Sequence, residues 1–221
     1  MRCAALRFSA QHRPHRVTVA RAAHRAAAMA TPARIVIVPG NGCDGDLDDL
    51  RSCNFYGAAE AAFAQRGHEV RMAPMPDPLY AKESVWVPFI TDKLGADETA
   101  VLIGHSSGAA AALRVAEARK LRGLVLVAAY DDDLGAELER NSGYFNRPFD
   151  WARIVANAGF VVQFAGTRDG LVPIAVQRRV AAQLGPACDL REMPRRDHFF
   201  SPPFPELLDA VTEHLARTQQ A

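Results

Sequence analysis

What this chain has little of narrows its class first. Only four of its 221 residues are cysteine (Cys3, Cys43, Cys53, Cys188), with no C-x-x-C and no paired spacing. A disulfide framework or a zinc site needs such pairs, so the thiols read as free, in a reducing compartment, and no metal is expected. No apolar run reaches the ~18 residues of a membrane span; the best stretch, 121–130, is strand length and contains Arg122. Net charge is nearly absent, +1 from 26 basic and 25 acidic residues, which gives no footing for a nucleic-acid surface. There is no Walker loop, and no repeat or low-complexity tract beyond the first thirty residues. Hydrophobic residues at 49% and charged residues at 23% exclude a wholly disordered or collagen-like chain.

One further absence divides the chain. Residues 1–43 hold seven arginines and no Asp or Glu, while all 25 acids lie from Asp44 onward. Without 1–28 the remainder has 20 basic and 25 acidic residues, a net of −5. Arg21 and Arg25 break any secretory apolar region. Three readings stay open for the leader. It resembles an organellar transit peptide, Arg-rich and acid-free. It could be upstream of a natural start at Met29, or, ranked last, a basic nucleic-acid arm. The expectation is that 1–29 is disordered and outside the fold, with 30–221 a single domain. That domain is expected to be soluble, monomeric and cytoplasmic, or mitochondrial or plastidic if 1–28 is a transit peptide.

From Arg34 the pattern alternates. Arg-Ile-Val-Ile-Val at 34–38 is continuous and β-branched, as in a strand buried on both faces. Further strands are expected at 68–72, 99–104, 122–129, 160–165 and 188–192. Helices are expected at 55–65, 83–94 (weakened at Pro88), 107–118, 174–184 and 205–215. The alternation breaks over the polar stretch 131–157. The fold class is therefore α/β, a mostly parallel sheet with helices on both faces.

Chemistry concentrates where strands end. Gly104-His105-Ser106-Ser107-Gly108 fits G-x-S-x-G between an apolar strand and an Ala-rich helix, the context of a nucleophile elbow. The alternative for Ser106 is an ordinary helix N-cap. An alcohol nucleophile needs a base and a group that orients the base. Asp169 follows the strand 160–165, and His198 follows the strand 188–192. Each alone also reads plainly, as a turn aspartate and a solvated loop histidine. Together they give the order Ser…Asp…His of α/β-hydrolases. The Ser107 N–H is one candidate oxyanion donor. The Asn41 N–H, in the Pro39-Gly40-Asn41-Gly42 turn, is the other, although that turn also reads as a plain glycine turn. Side chains diverge on a tight elbow, so His105 is expected to be structural, and His68 and His214 remain bland alternatives. Gly40, Gly42 and Gly45 do not form a dinucleotide fingerprint, because an acidic segment follows them.

Several motifs in one order carry a family resemblance. They are Ile-Val-Ile-Val-Pro-Gly-Asn-Gly at 35–42, Met-Pro-Asp-Pro at 75–78 and Glu-Ser-Val-Trp-Val-Pro-Phe at 83–89. Gly-His-Ser-Ser-Gly at 104–108 and Ser-Gly-Tyr-Phe at 142–145 complete the set. The sequence resembles the retinoblastoma-binding protein 9 / YdeN group of small α/β serine hydrolases, from about Arg34 to Leu215. The resemblance implies a lid-poor α/β-hydrolase fold with a triad on Ser106, Asp169 and His198. It also implies a short insertion at 131–151 over the site, with Tyr144, Phe145 and Trp151 lining an acyl or aromatic pocket; simple packing of those aromatics is the alternative. The L-x-C-x-E motif linked to retinoblastoma binding is broken here, because Ala96 stands in the cysteine position of 94–98. The expected activity is hydrolysis of a small ester or amide through an acyl-enzyme, with no cofactor. A non-catalytic binding module or an acyltransferase on the same fold are the alternatives.

Overall fold

The computed structural model describes residues 32–218. The leader read over 1–29 lies outside the described residues. Strands β1 (Arg34–Val38), β2 (Glu69–Arg71), β3 (Ala100–His105), β4 (Gly123–Val127), β5 (Val161–Gly166) and β6 (Cys188–Met193) form one parallel sheet in the order β2-β1-β3-β4-β5-β6. Every residue of β3, β4 and β5 is buried, which is why these strands read as unbroken apolar runs.

The two-residue period of the strands divides the core in two. Val36, Val38, Leu102, Leu124 and Leu126 face one side, where they meet α3 (Glu83–Pro88), α4 (Ser107–Ala118), α6 (Trp151–Asn157) and part of α7 (Ile174–Leu184). Ile35, Ile37, Val101, Ile103, Val125, Val162 and Phe164 face the other, against α1 (Leu47–Ser52), α2 (Tyr56–Gln65) and α8 (Pro205–Arg217). The order reverses between β1 and β3, so the loops after these two strands flank a crevice at the carboxyl edge of the sheet. In open α/β sheets that is where ligands bind.

Three elements differ from expectation. Helix α1 was not foreseen; Asp46 caps it by accepting from Asp48 N at 2.8 Å and Asp49 N at 3.1 Å, and Asp49 accepts from Asp46 N at 3.0 Å in return. The expected helix at 83–94 changes character at Pro88, which has no N–H to continue the ladder. It runs on as a π-helical turn, Phe89–Lys93, closed by Leu94 N donating to Phe89 O at 3.0 Å. The broken stretch 131–157 holds two short helices, α5 (Glu137–Ser142) and α6.

The segment joining α5 to α6 is organised by Arg114 of α4, whose side chain is 1% exposed. Its guanidinium donates to the carbonyls of Tyr144, Arg147 and Pro148, pairs with Glu117 at 2.8 Å, and lies 3.8 Å over the Phe149 ring. Guanidinium has five donors in a rigid plane, so one side chain can hold three carbonyls of an irregular loop. Arg114→Ala should therefore lower unfolding free energy by about 3–5 kcal/mol, because it takes the donors from three carbonyls of the loop and the main cationic partner from half-buried Glu117. Arg114→Lys should recover only part of that. Urea denaturation of the three proteins measures both effects.

Candidate active site

The elbow after β3 depends on backbone meeting backbone. A Cβ on Gly104 would lie 2.3 Å from the Gly108 carbonyl oxygen, and one on Gly108 would lie 2.4 Å from Pro39 O and 2.5 Å from Val38 O. No side-chain movement relieves such contacts, so both positions require glycine. The compression leaves Ser106 at φ 56°, ψ −121°, a region where a non-glycine residue is held at a cost of about 1–3 kcal/mol. Its N–H donates to Val127 O at 3.0 Å, and its side chain makes no capping hydrogen bond to α4. The N-cap alternative for Ser106 thus has no hydrogen bond behind it.

Asp169 and His198 come together from the loops after β5 and β6. His198 Nδ1 donates to Asp169 Oδ2 at 2.8 Å. The other carboxylate oxygen accepts from the N–H groups of Leu171 (2.9 Å) and Val172 (2.8 Å), and Gln177 Nε2 donates to Oδ2 at 3.2 Å. Burial opposes the charge on Asp169, but the hydrogen bonds from His198, Val172 and Leu171 outweigh it and hold the carboxyl below its ordinary range. With Nδ1 carrying the shared proton, Nε2 of His198 is left as a base. The two loops are laced by Arg168 N to Arg196 O (2.9 Å), Thr167 N to Met193 O (3.2 Å) and Arg195 N to Thr167 Oγ1 (2.9 Å). They can approach because Gly166 ends β5: a Cβ there would sit 2.3 Å from Asp197 O.

His105 joins these parts from beneath. Its Nε2–H donates to the His198 carbonyl at 2.9 Å, so Nδ1 is the acceptor and receives a hydrogen bond from the Tyr56 hydroxyl at 2.6 Å. Tyr56 Oη in turn accepts from Gly40 N at 2.9 Å and Asn54 Nδ2 at 3.1 Å. The His105 and His198 rings lie 4.8 Å apart between centroids, which sets His198 against the residue preceding Ser106. Burial first, then the neighbouring His198, pushes the His105 pKa down to about 3. The ring is therefore a neutral bracket, in line with the structural role expected for it.

A cavity of about 230 Å³ opens at Ser106, lined by Asn41, Tyr130, Leu134, Glu139, Leu171 and Val172 among others. The amides flanking Asn41 are occupied internally, Gly40 N by Tyr56 and Gly42 N by Pro78 O at 2.8 Å. The Ser107 N–H heads α4, where the first amides have no helical partner.

The aromatic residues expected in the pocket are elsewhere. Tyr144, Phe145 and Trp151 do not line the Ser106 cavity; Tyr144 is fully buried in the core beside α4, and Phe145 and Trp151 pack against that same core. Arg114 draws the segment against α4, so the insertion faces the cavity with Leu134, Ala136 and Glu139 instead. Sequence reasoning missed Tyr130, Glu139, Gln177 and Tyr56. Tyr130 and Glu139 do fall within or beside the broken stretch 131–157, the one local signal that pointed to them.

Among the described residues no helix is long and apolar enough to cross a membrane, and no group of three or more His, Cys, Asp or Glu is placed to hold a metal ion.

The chain is similar to known proteins across this whole region. The serine hydrolase family model matches residues 57–199. Serine hydrolase RBBP9 of Rattus norvegicus is 42% identical over 188 residues, covering 85% of this chain and 98% of the rat protein. The ydeN gene product of B. subtilis superposes with a TM-score of 0.72 at 21% identity, covering 83% of this chain and 99% of that one. A carboxylesterase of the ammonia-oxidizing Thaumarchaeon Nitrososphaera gargenis gives 0.63 at 12% identity, covering 86% and 92%. The last two likenesses establish the α/β-hydrolase fold.

The His105 bracket has a pH signature. An unfolded histidine takes a proton below about pH 6.5, whereas the folded one resists until about pH 3. Between those values the unfolded state binds more protons, so stability falls as pH falls, by up to about 1.4 kcal/mol per pH unit. His105→Asn should be less stable at neutral pH yet lose this part of the slope. Urea titrations of both proteins from about pH 7 to 4 test it.

Proposed function

This chain belongs to the serine hydrolase family, and we propose that it cleaves a small ester or amide with Ser106 as nucleophile, His198 as base and Asp169 as the acid that orients it. The observation that carries this reading is the strained, uncapped Ser106 at the mouth of a cavity, on the same edge as a hydrogen-bonded Asp169–His198 pair. Strain is retained where the surrounding structure over-determines it, commonly at a reacting residue.

The proposed reaction runs through an acyl-enzyme. As Ser106 Oγ attacks the carbonyl carbon, His198 Nε2 takes its proton. Asp169 holds the imidazole in the tautomer that leaves Nε2 free and stabilises the imidazolium that forms. The carbonyl oxygen gains charge and accepts hydrogen bonds from the Asn41 and Ser107 N–H groups; one such donor contributes about 10²–10³ in rate. The imidazolium gives its proton to the departing alcohol or amine. Water, deprotonated by His198, then breaks the acyl-enzyme.

The cavity supports a small acyl group. At about 230 Å³ it lies below the roughly 300–1,000 Å³ usual for drug-sized ligands, and Leu134, Leu171 and Val172 give it apolar wall. The retinoblastoma-type partner gains no support: Ala96 replaces the motif cysteine, and both Leu94 and Ala96 are buried.

Treating the full-length protein with a fluorophosphonate and weighing it intact should give one adduct, and none on Ser106→Ala. Hydrolysis of p-nitrophenyl acetate should fall about 10⁴-fold or more in either Ser106→Ala or His198→Ala, and the double variant should be no worse than the singles. A folded parent that takes up no label would sink the proposal.

A further inference from the structure

Glu139 reaches the cavity wall from α5, and its carboxyl is held by hydroxyls rather than by a cation. Tyr130 Oη lies 2.7 Å from Glu139 Oε2 and 3.0 Å from Ser107 Oγ, and Ser107 Oγ lies 3.2 Å from Glu139 Oε1. These three contacts close a triangle. Asn41 Nδ2 adds a donor to Oε1 at 3.4 Å. Four separate pieces of chain meet here: the turn after β1, the elbow, the end of β4 and the insertion.

Proton placement bears on the state of the triangle. A separate proton on each side requires three, and Tyr130 and Ser107 carry one each. With an ionised Glu139, two protons face three sides, and one oxygen–oxygen contact is left without a hydrogen. A protonated carboxyl supplies the third. Glu139 Oε2–H then donates to Tyr130, Tyr130 O–H to Ser107 Oγ, and Ser107 O–H back to Glu139 Oε1, all in one direction around the ring. Hydrogen bonds running in such a chain reinforce one another.

We propose that Glu139 is a positioning residue, held as a neutral carboxyl that closes this circuit and fixes Ser107 and Asn41, whose N–H groups receive the oxyanion. The inference rests on the Ser106 mechanism proposed above. Neutrality matters because a carboxylate in this cavity wall would oppose the negative charge that develops on the substrate oxygen. The surroundings agree. Facing the carboxyl are Tyr130, Ser107 and Asn41 from the packed elements, with Tyr144 nearby on the insertion. On α5 itself the neighbours are Glu137 and Arg140, and Arg140 is paired with Asp133 at 2.9 Å. Among the described residues no cation acts on Glu139; burial pushes its carboxyl above the ordinary range, against the hydrogen bonds that Tyr130 and Ser107 give the ionised form.

The test is the pH dependence of kcat for p-nitrophenyl acetate from about pH 6 to 9, for wild type, Glu139→Gln and Glu139→Ala. An amide in place of the acid can donate to Tyr130 and accept from Ser107, but cannot ionise. Wild-type kcat should fall on the alkaline side as Glu139 loses its proton. Glu139→Gln should stay within about threefold of wild type at the acid end and lack that fall. Glu139→Ala should lose about tenfold in kcat with KM changed less, part of the effect of losing an oxyanion donor. A Gln profile that overlies wild type, or a Gln loss as large as the Ala loss, overturns the proposal. Two further readouts separate it from the hydrolase reading. The folded state binds the Glu139 proton more tightly than the unfolded state, so its stabilising effect is lost as pH rises through the folded pKa; Glu139→Gln should therefore gain in Tm relative to wild type as pH rises. A wild type minus Glu139→Gln infrared difference at about pH 6 should contain the neutral carboxyl band. Absence of that band in a folded protein refutes the proposal even if no ester is turned over, whereas the band without turnover or label counts against the hydrolase reading alone.

Discussion

The carboxyl edge of the sheet is governed by a contact between bare backbones. Two glycines let the start of α4 press against the carbonyls of Val38 and Pro39 and let β3 turn directly into the helix. A single methyl group at either would stand about 2.3–2.4 Å from a carbonyl oxygen, with no flexible side chain to give way. Because the contact is this close, Ser106 is forced to positive φ, and the turn after β1 is brought beside it: a Cβ on Gly40 would touch Ser106 Cβ at 3.2 Å. The proposed oxyanion donors and the proposed nucleophile are thus neighbours through packing alone. A third glycine, Gly166, repeats the device on the other side of the site by admitting the 195–198 segment.

The polar groups beneath this edge are arranged so that charge is confined to one place. Asp169 is a carboxylate with a full set of donors, two amides, an amide side chain and the His198 ring. Next to it, His105 is buried and neutral, with a defined tautomer linking the Gly40 turn to the His198 carbonyl through Tyr56. A second charge in that position would raise the cost of forming an imidazolium on His198 at 4.8 Å. The neutral bracket transmits geometry without adding field. Glu139 plays a comparable part on the opposite wall in the proposal above.

What could be read from residues alone was local. The α/β alternation, the elbow and the strand-end positions of Asp169 and His198 are each encoded within about ten residues by periodicity and turn chemistry. Helix α1 was equally local, its capping box lying in the run Asp46–Asp49, but a cluster of acids reads as a turn unless the reciprocal bond is recognised. The break at Pro88 was foreseen as a weak point; its resolution into a π turn was not. Tyr56 and Glu139 were beyond reach for another reason. Their hydrogen bonds span 49 residues to His105 and 98 to Asn41, and follow only from the order of the strands.

The pocket aromatics make the same point in reverse. The family resemblance implies a binding surface made by Tyr144, Phe145 and Trp151. Their fate is decided by Arg114, which lies in a helix of small residues and gives no sign in the sequence of being buried. A planar cation with carbonyls on three sides, a carboxylate and an aromatic face pulls residues 143–150 against α4. Once that segment is drawn inward, the part of the insertion left over the cavity is Leu134, Ala136 and Glu139, with a carboxyl and no aromatic ring. The polarity of the wall facing Ser106 is therefore set by a residue that does not touch the cavity.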